Sequence, residues 1–518
     1  MSSEDCPVLQ LHADDNVAVA RRTVSQGTEI RLAAGNTAFS TADRIDIGHK
    51  VAVSRIESGE AVRKFGQCIG FATRPIEPGG WVHSHNLQVG SLELDYAFAT
   101  EVPPAPTPIE GRTFPGYRRT DGKVGTRNYI GVISTVNCSA TTAKLIAQSF
   151  DSERLHDFPN VDGVVPLVHS TGCGMAALSE DHAQLNRTLA GFARNPNIAA
   201  YLVVGLGCEI AQASLLADDF GLVQLDTPGH SDAPLPIVMN IQEEGGVAKT
   251  VERGVQVLNE LLPQVNQFTR ESVPVSELIL ASECGGSDGN SGVTANPALG
   301  FASDLLVSHG GTAILGETSE VYGGEHLLTR RAVTREVGKK LIERIQWWEE
   351  YTGKFGVVLD NNPSPGNKAG GLTTIYEKSL GAIAKGGTTA LRAVYKYAEP
   401  VTEKGFVFMD TPGYDAPSVT GMIAGGANMV VFTTGRGSCF ACQPVPTIKV
   451  ATNTPMYEQM SDDMDVNAGR ILDGTPVEEV GREIFELILS VAGGAPSKSE
   501  SQGLGTDEFV PWKIGPTL

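Results

Sequence analysis

No stretch of this sequence approaches the roughly 18 consecutive apolar residues that a membrane-spanning helix needs. The opening residues, Met-Ser-Ser-Glu-Asp-Cys, also lack the basic and apolar segments of a secretory signal. The expected compartment is the cytoplasm, with no membrane partner. Positive charge is scarce: 40 Lys and Arg stand against 60 Asp and Glu, a net charge of −20. So acidic a chain is a poor match for nucleic acid, although a small anionic substrate needs only local cations. Cysteine is sparse too, 8 in 518 residues, which excludes a disulfide-held scaffold. Only Cys439 and Cys442 form a C-x-x-C, and no second pair completes a zinc site. No G-x-G-x-x-G follows a strand with an acidic residue about 20 positions on, which argues against a nucleotide-dependent oxidoreductase.

Glycine is plentiful, at 59 residues, and with 41% hydrophobic and 19% charged residues the chain reads as globular. Its length predicts two to four domains. Residues 1–90 read as an all-β domain: short apolar runs at 17–20, 50–53 and 81–83 are separated by Gly and Pro turns. It ends in Trp-Val-His-Ser-His-Asn at 81–86. On a strand, His83 and His85 share one face and can bind a metal; two surface histidines near a strand end are the alternative. Pro103, Pro104, Pro106 and Pro108 then mark residues 91–112 as an extended interdomain linker.

Beyond the linker the pattern is α/β, with a second domain at 113–262 and a C-terminal domain at 270–518. Residues 258–275, with Pro263, read as the connection between them. Strands are expected at 129–133, 164–168, 199–204 and 277–281, and helices at 140–150, from about Ile210, and at 298–307. Asn137 or Ser139 is the candidate N-cap of the 140–150 helix. Four of these strands deliver a cysteine into a Gly- or Ser-rich loop: Cys138, Cys173, Cys208 and Cys284. A thiol at a helix N-terminus has a lowered pKa and becomes a better ligand or nucleophile; a small buried hydrophobe is the plainer alternative. The loop at 282–297 is the densest in glycine, hydroxyls and amides, as suits a backbone that approaches an anionic ligand.

A strand at 311–315 is followed by Glu317 and Glu320, with Glu325 and His326 close behind. Ligation of a hard cation and plain helix capping both account for these carboxylates. Residues 331–350 form a helix with an apolar stripe of Val333, Val337, Leu341, Ile345 and Trp348. Lys368 lies in the amide- and glycine-rich loop 361–371, as in a carboxylate or phosphate cradle. Strands at 405–409 and 428–433 follow, the latter leading to Arg436, which suits a carboxylate fork. A helix at 478–491 closes the pattern.

Long motifs carry a resemblance. They are Gly-Tyr-Arg-Arg-Thr-Asp-Gly-Lys-Val-Gly-Thr-Arg-Asn at 116–128, Gly-Leu-Gly-Cys-Glu at 205–209, Glu-Cys-Gly-Gly-Ser-Asp-Gly at 283–289, Asn-Pro-Ser-Pro-Gly-Asn-Lys at 362–368 and Phe-Thr-Thr-Gly-Arg-Gly at 432–437. In this order they resemble the altronate/galactarate dehydratase family over nearly the whole chain. The resemblance implies an N-terminal β-clip (SAF-type) domain, a second domain that serves dimerisation, hence a homodimer, and a C-terminal Rossmann-like parallel sheet flanked by helices. It implies Fe2+ as the divalent metal, with Mn2+, Mg2+ and Ca2+ as alternatives, and a small anionic sugar acid as substrate. The His-x-His at 83–85 is similar to altronate dehydratases, and the stretch at 325–330 looks closer to the galactarate branch.

Dehydrating a 2,3-dihydroxy acid removes the proton α to the carboxylate and expels the 3-hydroxyl, giving a 2-keto-3-deoxy acid. The expected assignment gives substrate binding to Arg127, Asn128, Lys368 and Arg436. Metal binding goes to His83, His85, Cys173, Cys208 and Cys284. Catalysis goes to Glu317, Glu320, Asp288 and Lys368, the two glutamates being an acid/base pair or rival metal ligands. A related lyase acting on sulfolactate, or a sugar-acid binding protein without turnover, are the competing readings.

Overall fold

A computed structural model describes residues 6–32, 38–92, 94–212, 216, 222 and 236–517. The first domain is built of short strands: β1 (Val8–Leu9), β2 (Val17–Ala20), β3 (Glu29–Arg31), β4 (Ala38–Ser40), β5 (Lys50–Ala52), β6 (Ala61–Lys64), β7 (Gln67–Ala72), β8 (Trp81–Val82) and β9 (Leu87–Gln88). They pair antiparallel in sheets of order β1-β2-β5-β8, β3-β4 and β6-β7-β9. Gly27, Gly48, Gly59 and Gly79 turn the chain between them with positive φ, as the glycine punctuation predicts. The described residues up to 90 are therefore strands and turns, as the all-β reading expects. The strand expected through His83 stops at Val82. A turn replaces it, in which the Asn86 side chain accepts from the His83 N–H at 2.9 Å.

A small sheet of order β11-β10-β16 joins β10 (Thr113–Arg118), β11 (Val124–Gly125) and β16 (Glu271–Pro274). Residues 258–275 are thus not a simple connection. Their first part belongs to the helix Val247–Val265, which accommodates Pro263, and their last part is the edge strand β16. The second domain holds four parallel strands, β12 (Tyr129–Ser134), β13 (Gly163–Leu167), β14 (Ile198–Gly205) and β15 (Ile237–Asn240), in the order β13-β12-β14-β15. Strand β14 is buried along its whole length, which explains its unbroken apolar run. The helix after β12 spans Asn137–Gln148. Neither Asn137 nor Ser139 caps it: Val136 is the cap residue, and the Ser139 hydroxyl donates to the Val136 and Val204 carbonyls at 2.9 and 2.7 Å. The helix expected from about Ile210 falls largely outside the described residues, and residues 210–212 are not helical.

The C-terminal domain is a seven-stranded sheet with every pairing parallel, of order β19-β20-β18-β17-β21-β22-β23. Its strands are β17 (Ile279–Cys284), β18 (Thr312–Leu315), β19 (Leu391–Tyr395), β20 (Gly405–Met409), β21 (Met429–Thr434), β22 (Thr447–Ala451) and β23 (Val466–Asn467). Helices Ala295–Ser308 and Val477–Ala492 pack on one face, and Asp415–Ala424 on the other. The helix Arg335–Gly353 buries Leu341, Ile345 and Trp348 as the stripe predicts, while Val333 precedes it. Loop 361–371 contains a helical turn, Pro365–Ala369, closed by a Ser364–Asn367 capping box. From β17 the chain runs outward to β18 on one side and later to β21 on the other. The crevice of this sheet therefore opens past the carboxyl ends of β17 and β21.

The first domain rests on that crevice's loops. The Gly48 backbone comes so close that Gly289 and Gly371 have no room for a side chain: a Cβ on Gly289 would lie 2.0 Å from the Gly48 carbonyl oxygen, and one on Gly371 would lie 2.6 Å from it. Buried beside this contact, Glu377 accepts from Lys50 at 2.8 and 2.9 Å and from Lys64 at 2.9 Å. Leu380 completes the apolar core of the first domain. Among the described residues no helix is long and apolar enough to cross a membrane.

Candidate active site

Strand β17 ends at Cys284, inside the crevice. Beyond β18 the chain turns abruptly, and Glu317 takes a left-handed backbone with φ of 64°. A non-glycine residue held there costs about 1–3 kcal/mol and is found most often at functional sites. Thr411, past the end of β20, holds it: the Glu317 N–H donates to Thr411 Oγ1 at 2.6 Å. Three residues on, Glu320 comes back into the same space. Donor atoms of Cys284, Glu317 and Glu320 lie within 4.8 Å of one another, and so do those of Glu283, Glu317 and Asp415.

Two ammoniums enter from the segment 375–386. Lys385 donates to Cys284 Sγ at 3.0 Å and to Glu317 Oε2 at 3.1 Å. Lys378 donates to Glu320 Oε1 at 2.5 Å and to Asn362 Oδ1 at 3.1 Å. Glu317 Oε1 and Glu320 Oε2 are buried, and among the described residues no amide, ammonium or hydroxyl donor reaches either. A cleft of about 550 Å³ reaches this centre, and Cys284, Glu320, Lys378, Asn362, Asn367 and Asp415 are among its lining residues. Gly285 is needed there, since a Cβ would come within 2.4 Å of Asp415 Oδ2.

The electrostatics follow from burial and these neighbours. Burial pushes up Glu283, and the charge of Glu317 beside it adds to the effect, so Glu283 holds a proton. Burial acts on Glu317 too, yet the Lys385 ammonium and the bond from Glu283 outweigh it and hold Glu317 below its usual range. Glu320 is raised by burial and by Glu317, against the pull of Lys378. Burial opposes charge on both lysines, but the neighbouring acidic groups raise Lys378, and Lys385 well above its ordinary value. Asp415 is raised to about 7 by burial and by the charges of Glu317 and Glu320. The Cys284 thiol is pushed up to about 11, chiefly by burial. The lowered thiol pKa expected at a helix N-terminus does not apply here, because the next helix begins only at Ala295.

The expected site residues divide. Cys284, Glu317 and Glu320 meet. Lys368 is half-buried and Arg436 exposed, and neither side chain hydrogen-bonds or ion-pairs among the described residues. They sit on facing loops: a Cβ on Gly370 would meet Arg436 Cδ at 3.1 Å. Asp288 is an organiser of the loop. Its carboxylate accepts from Ser291, Thr452 and Asn453 and from Asn290. His83 donates to the Lys368 carbonyl at 2.9 Å and stacks on His49 at 5.3 Å, while His85 is exposed against Trp81. Cys173 and Cys208 lie on the second domain.

Arg127 and Asn128 do not line the cleft. Arg127 forks onto Glu500 at 2.6 and 2.7 Å and donates to the Val491 and Ala495 carbonyls. Asn128 accepts from Arg119 at 2.7 Å and donates to the Asn160 and Val265 carbonyls. Arg127 stitches the second domain to the C-terminal one, and Asn128 ties together segments within the second domain. Arg127→Met should therefore destabilise the fold by about 3 kcal/mol, because it strands a largely buried Glu500. Urea denaturation measures this; a raised KM with unchanged stability would instead place Arg127 on the substrate.

Sequence reasoning missed Lys378, Lys385, Asp415 and Glu283. A signal existed for the lysines: they stand seven apart in an otherwise small and apolar stretch, two turns along one helical face.

Carboxylates of split protonation, a thiol and two ammoniums at the switch point of a parallel sheet define an enzyme centre for acid–base chemistry on an anionic, oxygen-rich substrate. Three family models cover the chain in succession. The Altronate/galactarate dehydratase SAF domain matches residues 6–90, the D-galactarate dehydratase/Altronate hydrolase second domain 116–266, and the D-galactarate/Altronate dehydratase C-terminal domain 275–517. Altronate dehydratase of Bacillus subtilis (strain 168) is 35% identical over 512 residues, 98% of this chain and 99% of the relative. Galactarate dehydratase (L-threo-forming) of Escherichia coli (strain K12) is 38% identical over 495 residues, 94% of this chain and 92% of the relative. Altronate dehydratase of the same strain is 34% identical over 511 residues, 98% and 99% of the two chains. The chain belongs to the altronate/galactarate dehydratase family and is a hydro-lyase of the sugar-acid dehydratase type.

Proposed function

We propose that this chain dehydrates D-altronate to a 2-keto-3-deoxy acid with the help of a divalent cation, Fe2+ in the first place. The observation that carries the reading is a pair of buried carboxylate oxygens, Glu317 Oε1 and Glu320 Oε2, that no amide, ammonium or hydroxyl donor reaches among the described residues, beside the Cys284 thiol. Orphaned acceptors at this depth call for a positive partner. A mixed thiolate and carboxylate set suits iron(II) better than magnesium or calcium. Cys284 and Glu317 would hold the cation, with Glu320 beside it. When bound, such a cation supplies polarisation of the substrate carboxylate.

The chain's own groups account for the proton transfers. Glu320 lines the cleft, and its free oxygen, Oε2, takes the α-proton. The Lys378 ammonium, raised in pKa and therefore charged, stabilises the enediolate that develops. Asp415 gives its proton to the departing 3-hydroxyl, which leaves as water as the C3–O bond breaks. The enol then tautomerises. Lys368 and Arg436, whose side chains have no hydrogen-bond or ion-pair partner among the described residues, receive the far end of the substrate.

The His-x-His at 83–85 supports altronate over galactarate, since His83 anchors the backbone of Lys368 itself. The galactarate-like stretch at 325–330 bears on packing instead: Glu325 accepts from Tyr96 and Arg330 pairs with Asp95 and Glu101. The higher identity to a galactarate dehydratase favours galactarate as the second reading. Anaerobic turnover with iron(II) against a panel of aldonates and aldarates decides between them. A 2-keto-3-deoxy product from altronate is expected. Product from galactarate alone would transfer the assignment, and no product from any sugar acid would overturn it.

A further inference from the structure

Three thiols of the second domain play no part in the centre described above. Cys138, Cys173 and Cys208 are all exposed, whereas Cys284 and Cys442 are buried. Cysteine is among the most often buried residue types, so three exposed thiols on one domain need a reason. The fold brings them to one place. Cys138 follows β12, Cys173 lies in the loop after β13, and Cys208 comes three residues after β14. These are three neighbouring strands of one parallel sheet, in the order β13-β12-β14. The chain goes from β12 to β13 on one side and then to β14 on the other, so the crevice of this second sheet opens past the ends of β12 and β14.

The three loops are locked into one unit. The Asn137 N–H donates to the Thr171 carbonyl at 2.9 Å, the Ala211 N–H to the Gly172 carbonyl at 3.1 Å, and Thr135 Oγ1 to Glu209 Oε1 at 2.8 Å. The turns beside Cys173 and Cys208 rely on glycine. Gly172 has φ of 94°, and a Cβ there would lie 2.2 Å from the Thr135 carbonyl oxygen. Gly207, directly before Cys208, has φ of 121°. A rigid, solvent-facing display of thiols has no packing purpose.

Their spacing selects the kind of metal group. A single tetrahedral zinc, with bonds of about 2.3 Å to sulfur, brings its thiolates to about 3.8 Å of one another. This trio is not among the groups of described residues whose donor atoms converge within 4.8 Å. Thiolates farther apart than one ion allows suit a polynuclear cluster, in which each sulfur binds a different iron. We propose that Cys138, Cys173 and Cys208 hold an iron–sulfur cluster at the crevice of the second sheet, separate from the Cys284 centre. The proposal stands independently of the substrate assigned above.

The test uses the full chain, purified without oxygen and supplied with ferrous iron and inorganic sulfide. Expected are iron and acid-labile sulfide in equal amounts, several of each per chain, with broad visible absorption and a paramagnetic signal on reduction. Cys138→Ser, Cys173→Ser and Cys208→Ser should each lose the sulfide and the absorption, and Cys439→Ser should keep both. Where a serine variant fails to fold, alkylation of the unaltered chain replaces it: loading should protect Cys138, Cys173 and Cys208 while Cys439 still reacts. Absence of labile sulfide, a full cluster in the triple serine variant, or unprotected thiols after loading would overturn the proposal.

Discussion

Glu320→Gln should lower kcat by about 10²- to 10⁴-fold, the usual contribution of a positioned general base. Glutamine keeps the shape and can still accept from Lys378 and Asn362, which now hold Glu320 Oε1 at 2.5 and 2.8 Å. Only the proton-accepting oxygen is lost. KM should change little, since Lys368 and Arg436 are untouched. The distinguishing readout is exchange of the substrate α-proton with deuterated solvent, which should disappear with turnover. Iron content should persist on Cys284 and Glu317. A variant with near-normal kcat would remove Glu320 from the proton transfer; loss of iron with normal exchange in the residual activity would make it a ligand only.

Glu377→Gln should be the most damaging single change to the fold. Glu377 and Lys50 are wholly inaccessible, and Lys64 nearly so. Burial alone would raise the carboxyl, but the two ammoniums hold it far below the ordinary range. Burial in turn lowers Lys50 to about 8. Removing the carboxylate leaves two buried cations facing each other, a loss of about 3–5 kcal/mol. Calorimetry should show a lower Tm, and limited proteolysis should show the first domain released earlier. The double variant Lys50→Met/Glu377→Gln removes one stranded charge and should recover part of the loss.

The same triad sets an acid limit. Because the folded pKa of Glu377 is depressed, its stabilisation is present above the ordinary value of 4.5 and is lost progressively as pH falls below it. The unaltered chain should therefore lose stability on acidification more steeply than Glu377→Gln. Equal acid sensitivity of the two proteins would place the acid limit elsewhere.

Much of this was legible from residue order. The apolar runs of β12, β14, β17, β20 and β21 announce buried parallel strands, because a strand covered on both faces has no polar alternation. The glycine punctuation before residue 90 announces short strands and tight turns. Cysteines and carboxylates at strand ends mark where an open sheet binds ligands, and Cys284, Glu317 and Glu320 do converge there. Periodicity could not reveal which of four similar loops share a crevice. Cys284 joins the C-terminal centre while Cys138, Cys173 and Cys208 face another crevice, since strand order, not sequence order, decides neighbours. Arg127 reads as a carboxylate fork in either place; only the approach of Glu500, 373 residues away, gives it a structural partner. His83 and His85 alternate as on a strand, but Asn86 turns the backbone first. Lys378 and Lys385 stand two helical turns apart in a small, apolar stretch, but only the fold sets them against Glu320 and Glu317. Local chemistry therefore determined the elements, the family and the kind of reaction. The tertiary structure decided which charged groups meet, because pairing between distant residues depends on burial and strand order, which no local pattern records.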